Sequence, residues 1–337
     1  MLVLGIETSC DETALALVAQ GDKVIADVVS SSLKRHKEFG GIVPEIANRH
    51  HLEYIIEGLE KIKKKSCLKL KDLDLIAVTY GPGLVGSLLV GLSCAKALSL
   101  SLGVDLVGVN HLKAHLYSAI MNKKINFPFI GLIVSGGHTI LAKVENFLQF
   151  TLLGQTKDDA VGEAFDKVAK ILDLGYPGGP IIDKLSKNIL KEDHVEFKRP
   201  FLERNSFDFS FSGIKTAVLY YVRGMSSRKK ITLKDKARIA AGFQEAVVDV
   251  LVEKSIYACE KRDIRTLVVG GGVSANSRLR EKLTYRAGKK AIEVVFPPPK
   301  LCVDNAVMVA GFGYQLYRLG QKSDLSLGAQ SVLNLGG

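Results

Sequence analysis

The sequence predicts an α/β fold of two related βββαβα lobes facing each other across a cleft, with helical insertions in the second lobe. Its 337 residues, 47% hydrophobic and 24% charged, suffice for two domains of roughly 150 residues each. In the first half, apolar runs of strand length alternate with helical stripes in the order strand, strand, strand, helix, strand, helix, strand. The chain then repeats itself. With residues 5–18 set over 131–144 without a gap, Gly5 meets Gly131, Ser9 meets Ser135, Thr13 meets Thr139, Ala16 meets Ala142 and Val18 meets Val144. Farther on, residues 78–89 lie over 268–279, and Gly81 meets Gly271 and Ser87 meets Ser277. Both matches fall in the same order, which argues for duplication. The expected domains are 1–127 and 128–305, with a C-terminal helix and tail, 306–337, packing back on the first.

Residues 2–7 read as a buried strand, 8–13 as a polar turn and 14–19 as a second strand; Gly21-Asp22 turns into a third. Pro44 opens a helix with Leu52, Ile55, Ile56, Leu59 and Ile62 on one stripe. A strand over 73–80, a glycine loop, a helix over 84–102 and a strand over 105–109 follow, then a helix carrying two histidines. In the second half, helical insertions are expected near 159–174, 180–190, 214–223 and 234–261. A strand over 291–296, three prolines and a helix from about Asn305 close the lobe, and the tail after Ser323 is polar and extended.

Composition excludes several classes. No run reaches the ~18 consecutive apolar residues of a membrane span, and the N-terminus lacks the basic stretch of a secretory signal. The five scattered cysteines, with no C-x-x-C, fit reduced thiols in a cytoplasmic protein. The net charge of +11 suits a polyanionic partner as well as plain solubility. Basic clusters lie at 61–65, from Arg223 to Lys230 and from Arg278 to Lys290. Tryptophan is absent and aromatics are 7%, so any nucleic acid would meet a shape-and-phosphate surface rather than a stacking platform.

His111 and His115 stand i, i+4, so on a helix their rings share one face and can converge on one ion. A surface pair is the plain alternative. The run His-Leu-Lys-Ala-His lacks the glutamate that a zinc protease uses as base, which disfavours a peptidase. By the repeat, the strand that leads to His111 corresponds to the one that leads to Val303-Asp304-Asn305. Asp304 is therefore expected opposite the histidines across the cleft, and two imidazoles with one carboxylate make a Lewis-acid site. Gly81-Pro82-Gly83-Leu84-Val85-Gly86 matches the dinucleotide fingerprint, but the strand after it has its acid, Asp105, at the wrong end. A tight structural turn is the better reading. Ile133-Val134-Ser135-Gly136-Gly137 and the glycine run 270–272, with Ser274 or Asn276 near a helix cap, are stronger nucleotide candidates. Asp166 and Asp183 lie beside helical insertions and could accept ribose hydroxyls. Asp11 and Glu12, in the first turn, could bind metal or take a proton, or form a solvated acidic turn.

Taken together, residues 5–13, the Gly-Gly-Ile-Val-Pro-Glu run at 40–45, Gly81-Pro82-Gly83, His111 with His115, residues 134–139, residues 270–276 and Val303-Asp304-Asn305 resemble the bacterial tRNA adenosine threonylcarbamoyltransferase family, TsaD. The resemblance spans nearly the whole chain. It implies ribonuclease H-like lobes of the actin-like ATPase, sugar kinase and Hsp70 class. It also implies transfer of threonylcarbamoyl from threonylcarbamoyl-AMP to the exocyclic amine of the adenosine 3′ of the anticodon, in tRNAs reading codons that begin with adenine. Carried over, His111, His115 and Asp304 would hold one Fe(2+), with zinc or manganese also admitted by the donor set. Ile133, Val134, Ser135, Gly136, Gly137, Asp166, Gly179, Asp183 and Asn276 would bind the substrate adenylate, and Asp11 or Glu12 would take the amine proton. The archaeal and eukaryotic branch carries a metal-contacting tyrosine where this chain has Ile133, so three protein ligands are expected. The implied partners are tRNA, an inactive paralogue that forms a heterodimer and a small P-loop ATPase. A small-molecule kinase or an Hsp70-like ATP-driven scaffold would share the fold, but neither needs the histidine pair.

Overall fold

The computed structural model describes residues 1–200, 205–228 and 230–335; of the basic run Arg223 to Lys230, Lys229 lies outside them. The strand β1 (Leu2–Glu7) is almost wholly buried, as expected of a strand at the middle of a sheet. β2 (Glu12–Ala19) and β3 (Lys23–Ser31) return antiparallel to it. The short α1 (Leu33–His36) and the long α2 (Pro44–Ser66) lead to β4 (Leu75–Gly81), and α3 (Val85–Leu102) leads to β5 (Asp105–Asn110). β4 and β5 join in parallel, giving the order β3-β2-β1-β4-β5.

The alternation along β1 and β2 decides what covers each face. Leu4, Ile6, Leu15 and Leu17 share one core with Ile55, Leu59 and Ile62 of α2 and with Leu92 and Ala95 of α3. The opposite face takes α10 (Ala306–Arg318), which packs on β1, β2 and β4 and against α4 (His111–Ile120). Gly5 makes that approach possible. A Cβ there would stand 2.3 Å from the Ala306 carbonyl oxygen and 2.9 Å from the Ala310 Cβ. Two residues of the expected α2 stripe do not follow it: Leu52 and Ile56 are each 64% exposed. Among the described residues, α3 is long and apolar enough to cross a membrane by length and composition. Here it packs on β4 and α2.

The second sheet repeats the plan. β6 (Phe129–Val134) is central, β7 (Thr139–Val144) pairs antiparallel with it, and β8 (Phe150–Gln155) lies outside β7. β9 (Thr266–Gly270) and β10 (Glu293–Val295) add in parallel, giving β10-β9-β6-β7-β8. The duplication holds at the level of single pairs: Gly5 stands opposite Ala16 in β1–β2, and Gly131 opposite Ala142 in β6–β7. These are the residues that the ungapped alignment superposes. The insertions form α5 (Val161–Ile171), α6 (Gly178–Ser186), α7 (Ser212–Ser226) and α8 (Leu233–Arg262), and α9 (Ser277–Gly288) follows β9. α8 runs through one core with Phe165, Phe209, Phe211 and Phe243.

The chain divides into two compact units, 1–125 with 146–150 and 297–337, and 126–145 with 151–296. Asp304 therefore belongs to the same unit as His111 and His115, whereas the repeat assigned it to the second lobe. The reason lies in α10: from Ala306 to Gly313 every residue is buried, and the free face of the first sheet is what buries them.

Candidate metal centre and nucleotide pocket

In the first unit, β5 ends at Asn110, and this residue starts α4. Its side-chain oxygen accepts hydrogen bonds from the backbone N–H of Leu112 at 2.9 Å and of Lys113 at 3.2 Å, a helix cap that supplies two of the orphaned donors. His111 follows immediately and His115 stands one turn on, both buried. Asn305 does the same for α10, accepting from Met308 N–H at 2.9 Å, and its amide donates to the Val303 carbonyl at 2.8 Å. Asp304 precedes it. His111 and Asp304 thus each sit beside a capping asparagine. The sequence reading missed both caps, although an Asn just before an apolar helix was the available signal.

His115 Nε2 lies 3.1 Å from His111 Nε2 and 3.1 Å from Asp304 Oδ1, and His111 Nε2 lies 3.5 Å from the same oxygen. The rings are 4.5 Å apart, edge to face, and one ligand atom from each of the three residues falls within 4.8 Å of the others. On its far side, His111 Nδ1 faces Glu7 Oε2 at 3.1 Å. Nδ1 turns its hydrogen to that oxygen, so Nε2 is the nitrogen left to face a cation. Two ring nitrogens and a carboxylate oxygen at these distances repel unless a cation or a shared proton lies among them. The donor set fits a divalent transition metal with open positions. The electrostatics agree. Burial works against a charged His111 ring, but Asp304 and Glu7 outweigh it and push it up to about 9. Burial, and then the charge of His111, hold His115 below the ordinary histidine value. His115 Nδ1 is buried with no partner among the described residues.

Asp11 and Glu12 lie in the same unit, where the first turn enters β2. The Asp11 carbonyl accepts from Ser32 N–H at 3.0 Å and from Ser32 Oγ at 2.9 Å. Glu12 Oε1 accepts from Ser31 Oγ at 3.3 Å. Burial first, then the charges of Asp304 and Asp11, push the Glu12 carboxyl up to about 10. Glu12 therefore feels Asp304, and with Asp11 buried beside it the pair is not a freely solvated turn. The glycines of the dinucleotide-like run are filled by this chain's own atoms. A Cβ at Gly81, Gly83 or Gly86 would meet Gln330 O at 2.3 Å, Ser9 O at 2.6 Å or Asn48 Nδ2 at 2.2 Å.

The second unit links the remaining candidates one to the next. After β6, Ser135 and His138 close a tight turn, with Ser135 N–H donating to His138 O at 2.9 Å and His138 N–H to Ser135 Oγ at 3.1 Å. Gly136 and Gly137 are exposed and have open space where a side chain would be. Gly162, near the start of α5, donates to Ser135 O at 3.1 Å. One turn on, Asp166 Oδ1 accepts from Gly178 N–H at 2.7 Å, next to the open Gly179. From α6, Asp183 Oδ1 accepts from Ser277 Oγ at 2.8 Å. Asn276 caps α9, accepting from Leu279 N–H at 2.9 Å and donating to Gln244 Oε1 at 2.8 Å. Ile133 and Val134 differ from the rest: their side chains are fully buried in the sheet and are not offered to a ligand.

The fold places the chain first in a class. HypF from T. kodakarensis aligns over 95% of this chain and 48% of its own, with a TM-score of 0.62 at 15% identity. Component A of the (R)-2-hydroxyglutaryl-CoA dehydratase of Acidaminococcus fermentans aligns over 94% and 98%, with a TM-score of 0.55 at 16% identity. These are proteins of the actin-like ATPase fold, and this chain is a two-lobed α/β protein of that class. Sequence narrows the class to a family. The profile of tRNA N6-adenosine threonylcarbamoyltransferase, TsaD, matches residues 23–311. Proteins of that name from Dictyoglomus turgidum and Clostridium beijerinckii are 49% and 46% identical, over 100% and 99% of this chain and 99% and 98% of their own lengths. The chain belongs to the tRNA N6-adenosine threonylcarbamoyltransferase family.

Proposed function

We propose that this chain transfers the threonylcarbamoyl group of threonylcarbamoyl-AMP to the N6 amine of the adenosine 3′ of the anticodon, releasing AMP. The observation that carries the reading is the convergence of His111, His115 and Asp304 at coordination distance in a chain that matches the family over its full length. Kinase and scaffold readings leave that trio without a task. We assign Fe(2+) to it, with three protein ligands; zinc and manganese are the other outcomes of a metal analysis. A bound divalent cation supplies Lewis acidity at the carbamoyl group. The rest falls to the chain. Ser135, Gly136 and Gly137 offer backbone N–H groups, and Asp166, Gly179, Asp183 and Asn276 offer polar groups, to hold the adenylate and offset charge on the departing phosphate. As the amine nitrogen bonds to the carbamoyl carbon, the carbon–oxygen bond to phosphate breaks and its electron pair leaves with AMP. The amine proton goes to Asp11, while Glu12, held neutral, donates a hydrogen bond.

The protein acts in the cytoplasm, where tRNA is modified. Leu52 and Ile56 of α2 with Leu89 and Leu100 of α3 form an exposed apolar face. This supports an inactive paralogue as heterodimer partner there, with a small P-loop ATPase as the third component. Incubation with labelled threonine, bicarbonate, ATP, an adenylate synthase, the partner subunits and tRNA, followed by digestion to nucleosides, tests the reading. Label in adenosine is expected, and His111→Ala should abolish it together with bound metal. Unlabelled tRNA in the complete mixture would overturn the reading.

A further inference from the structure

We propose that Glu7 is a positioning residue of the metal centre: its buried carboxylate holds the His111 ring so that Nε2 faces the cation. The inference rests on the proposed metal site and concerns a residue outside the ligand set. Glu7 is the last residue of β1 and is 0% exposed. A carboxylate taken from water at the centre of a sheet is costly unless fully paired, and this one is. Oε1 accepts from Ser9 N–H at 2.6 Å and Oε2 from Thr79 Oγ1–H at 2.6 Å. Ser9 N–H can only donate, so Oε1 accepts. The remaining neighbour of Oε2 is His111 Nδ1 at 3.1 Å. That nitrogen donates to the carboxylate, which holds the ring so that Nε2 faces His115 and Asp304. Ser9 Oγ, 3.2 Å from Nδ1, closes the ring in from a second side. Three elements thus meet at this carboxylate: the end of β1, which carries it, Thr79 of the neighbouring β4, and His111 of α4. A carboxylate that accepts from the non-ligating nitrogen of a ligand histidine orients the ring and raises its donor strength.

The test uses the full chain, with Zn(2+) and Co(2+) affinities read by chelator competition and the Co(2+) absorption spectrum as a signature of ligand geometry. His115→Ala serves as the control that locates the site. Glu7→Gln is expected to weaken both metals about 10–100-fold with an unchanged circular dichroism spectrum. It also presents an amide to the Ser9 or His111 donors. Thr79→Val, near-isosteric and lacking the hydroxyl that anchors Oε2, is expected to weaken both metals about 10-fold and to shift the Co(2+) spectrum; Thr79→Ser should restore them. Should Glu7→Gln fail to fold, Thr79→Val decides alone. Wild-type affinity and spectrum in Thr79→Val and in a folded Glu7→Gln, while His115→Ala loses the metal, overturn the role of Glu7 and leave the metal centre standing. A wild-type chain with no His115-dependent metal overturns the metal-centre reading and this inference with it.

Discussion

Asp11 and Glu12 are adjacent carboxyls in one turn, and the proposed transfer gives them different tasks. Burial, Asp304 and Asp11 together push Glu12 up to about 10, so near neutral pH it is a hydrogen-bond donor and a poor base. Replacing it by the isosteric amide should change little: Glu12→Gln is expected to keep transfer within a few-fold of wild type. Asp11→Asn is expected to lose about 100-fold or more in single-turnover rate, the usual scale of a general base. Equal loss in both variants would remove the division of labour. The sequence shows two acids side by side but not which one is neutral, because that depends on Asp304, far away in the chain. Glu7 was hidden for the same reason. It reads as the end of an apolar strand, and only the neighbouring β4 and α4 reveal what its carboxylate serves.

At the scale of elements, the strands and long helices were legible because their periodicity is local. The α2 stripe was legible only in part. Leu52 and Ile56 fit a helical apolar face by spacing, yet the buried side of α2 runs through His51, Ile55, Leu59 and Ile62, and they remain exposed. How α10 docks is written in small residues. Gly5 gives it room, and a methyl group at that position meets the Ala306 carbonyl at 2.3 Å, two residues from Asp304. Gly5→Ala is expected to cost roughly 1–3 kcal/mol through overpacking and to weaken metal binding at the same time. Calorimetry and chelator competition read the two effects, and a destabilised variant with wild-type metal affinity would separate the packing from the site. In the second unit, α8 and α9 are joined by charge. Arg278 forms a forked pair with Glu245 at 2.7 and 3.0 Å, and Lys282 bonds Glu245 and Asp249. Burial opposes the ionised Glu245, but these cations outweigh it and hold it at about 2, against an ordinary 4.5. A depressed carboxyl contributes stability above its unfolded value and loses it as pH falls through the folded one. The advantage of wild type over Glu245→Gln should therefore be about 3 kcal/mol at neutral pH and shrink from about pH 4.5 toward 2. Denaturant titrations of both proteins across that range check it; a constant gap would mean that Glu245 acts by packing alone.

For the molecule as a whole, the ungapped match of residues 5–18 with 131–144 predicted a duplication, and the shared register of the two sheets bears it out. The same repeat misplaced Asp304, because equivalence along a sequence does not say which sheet a helix will cover. The uniformly apolar first two turns of α10, Ala306 to Gly313, carried that information in their composition. Charge is the other whole-molecule property. A net charge of +11 with no tryptophan points to contacts with phosphate rather than stacked bases. Each phosphate neutralised by Lys or Arg releases condensed counterions, so the logarithm of the binding constant should fall linearly with the logarithm of salt concentration. For even a few such contacts, tRNA affinity is expected to drop about tenfold or more between roughly 50 and 200 mM salt. In the proposed site, adenylate is held by backbone amides and a handful of polar groups, and its affinity should move far less. The two titrations, run on the same preparation, separate the surfaces. An equal, shallow response for tRNA and adenylate would mean that tRNA docks by shape alone and that the positive charge serves only solubility.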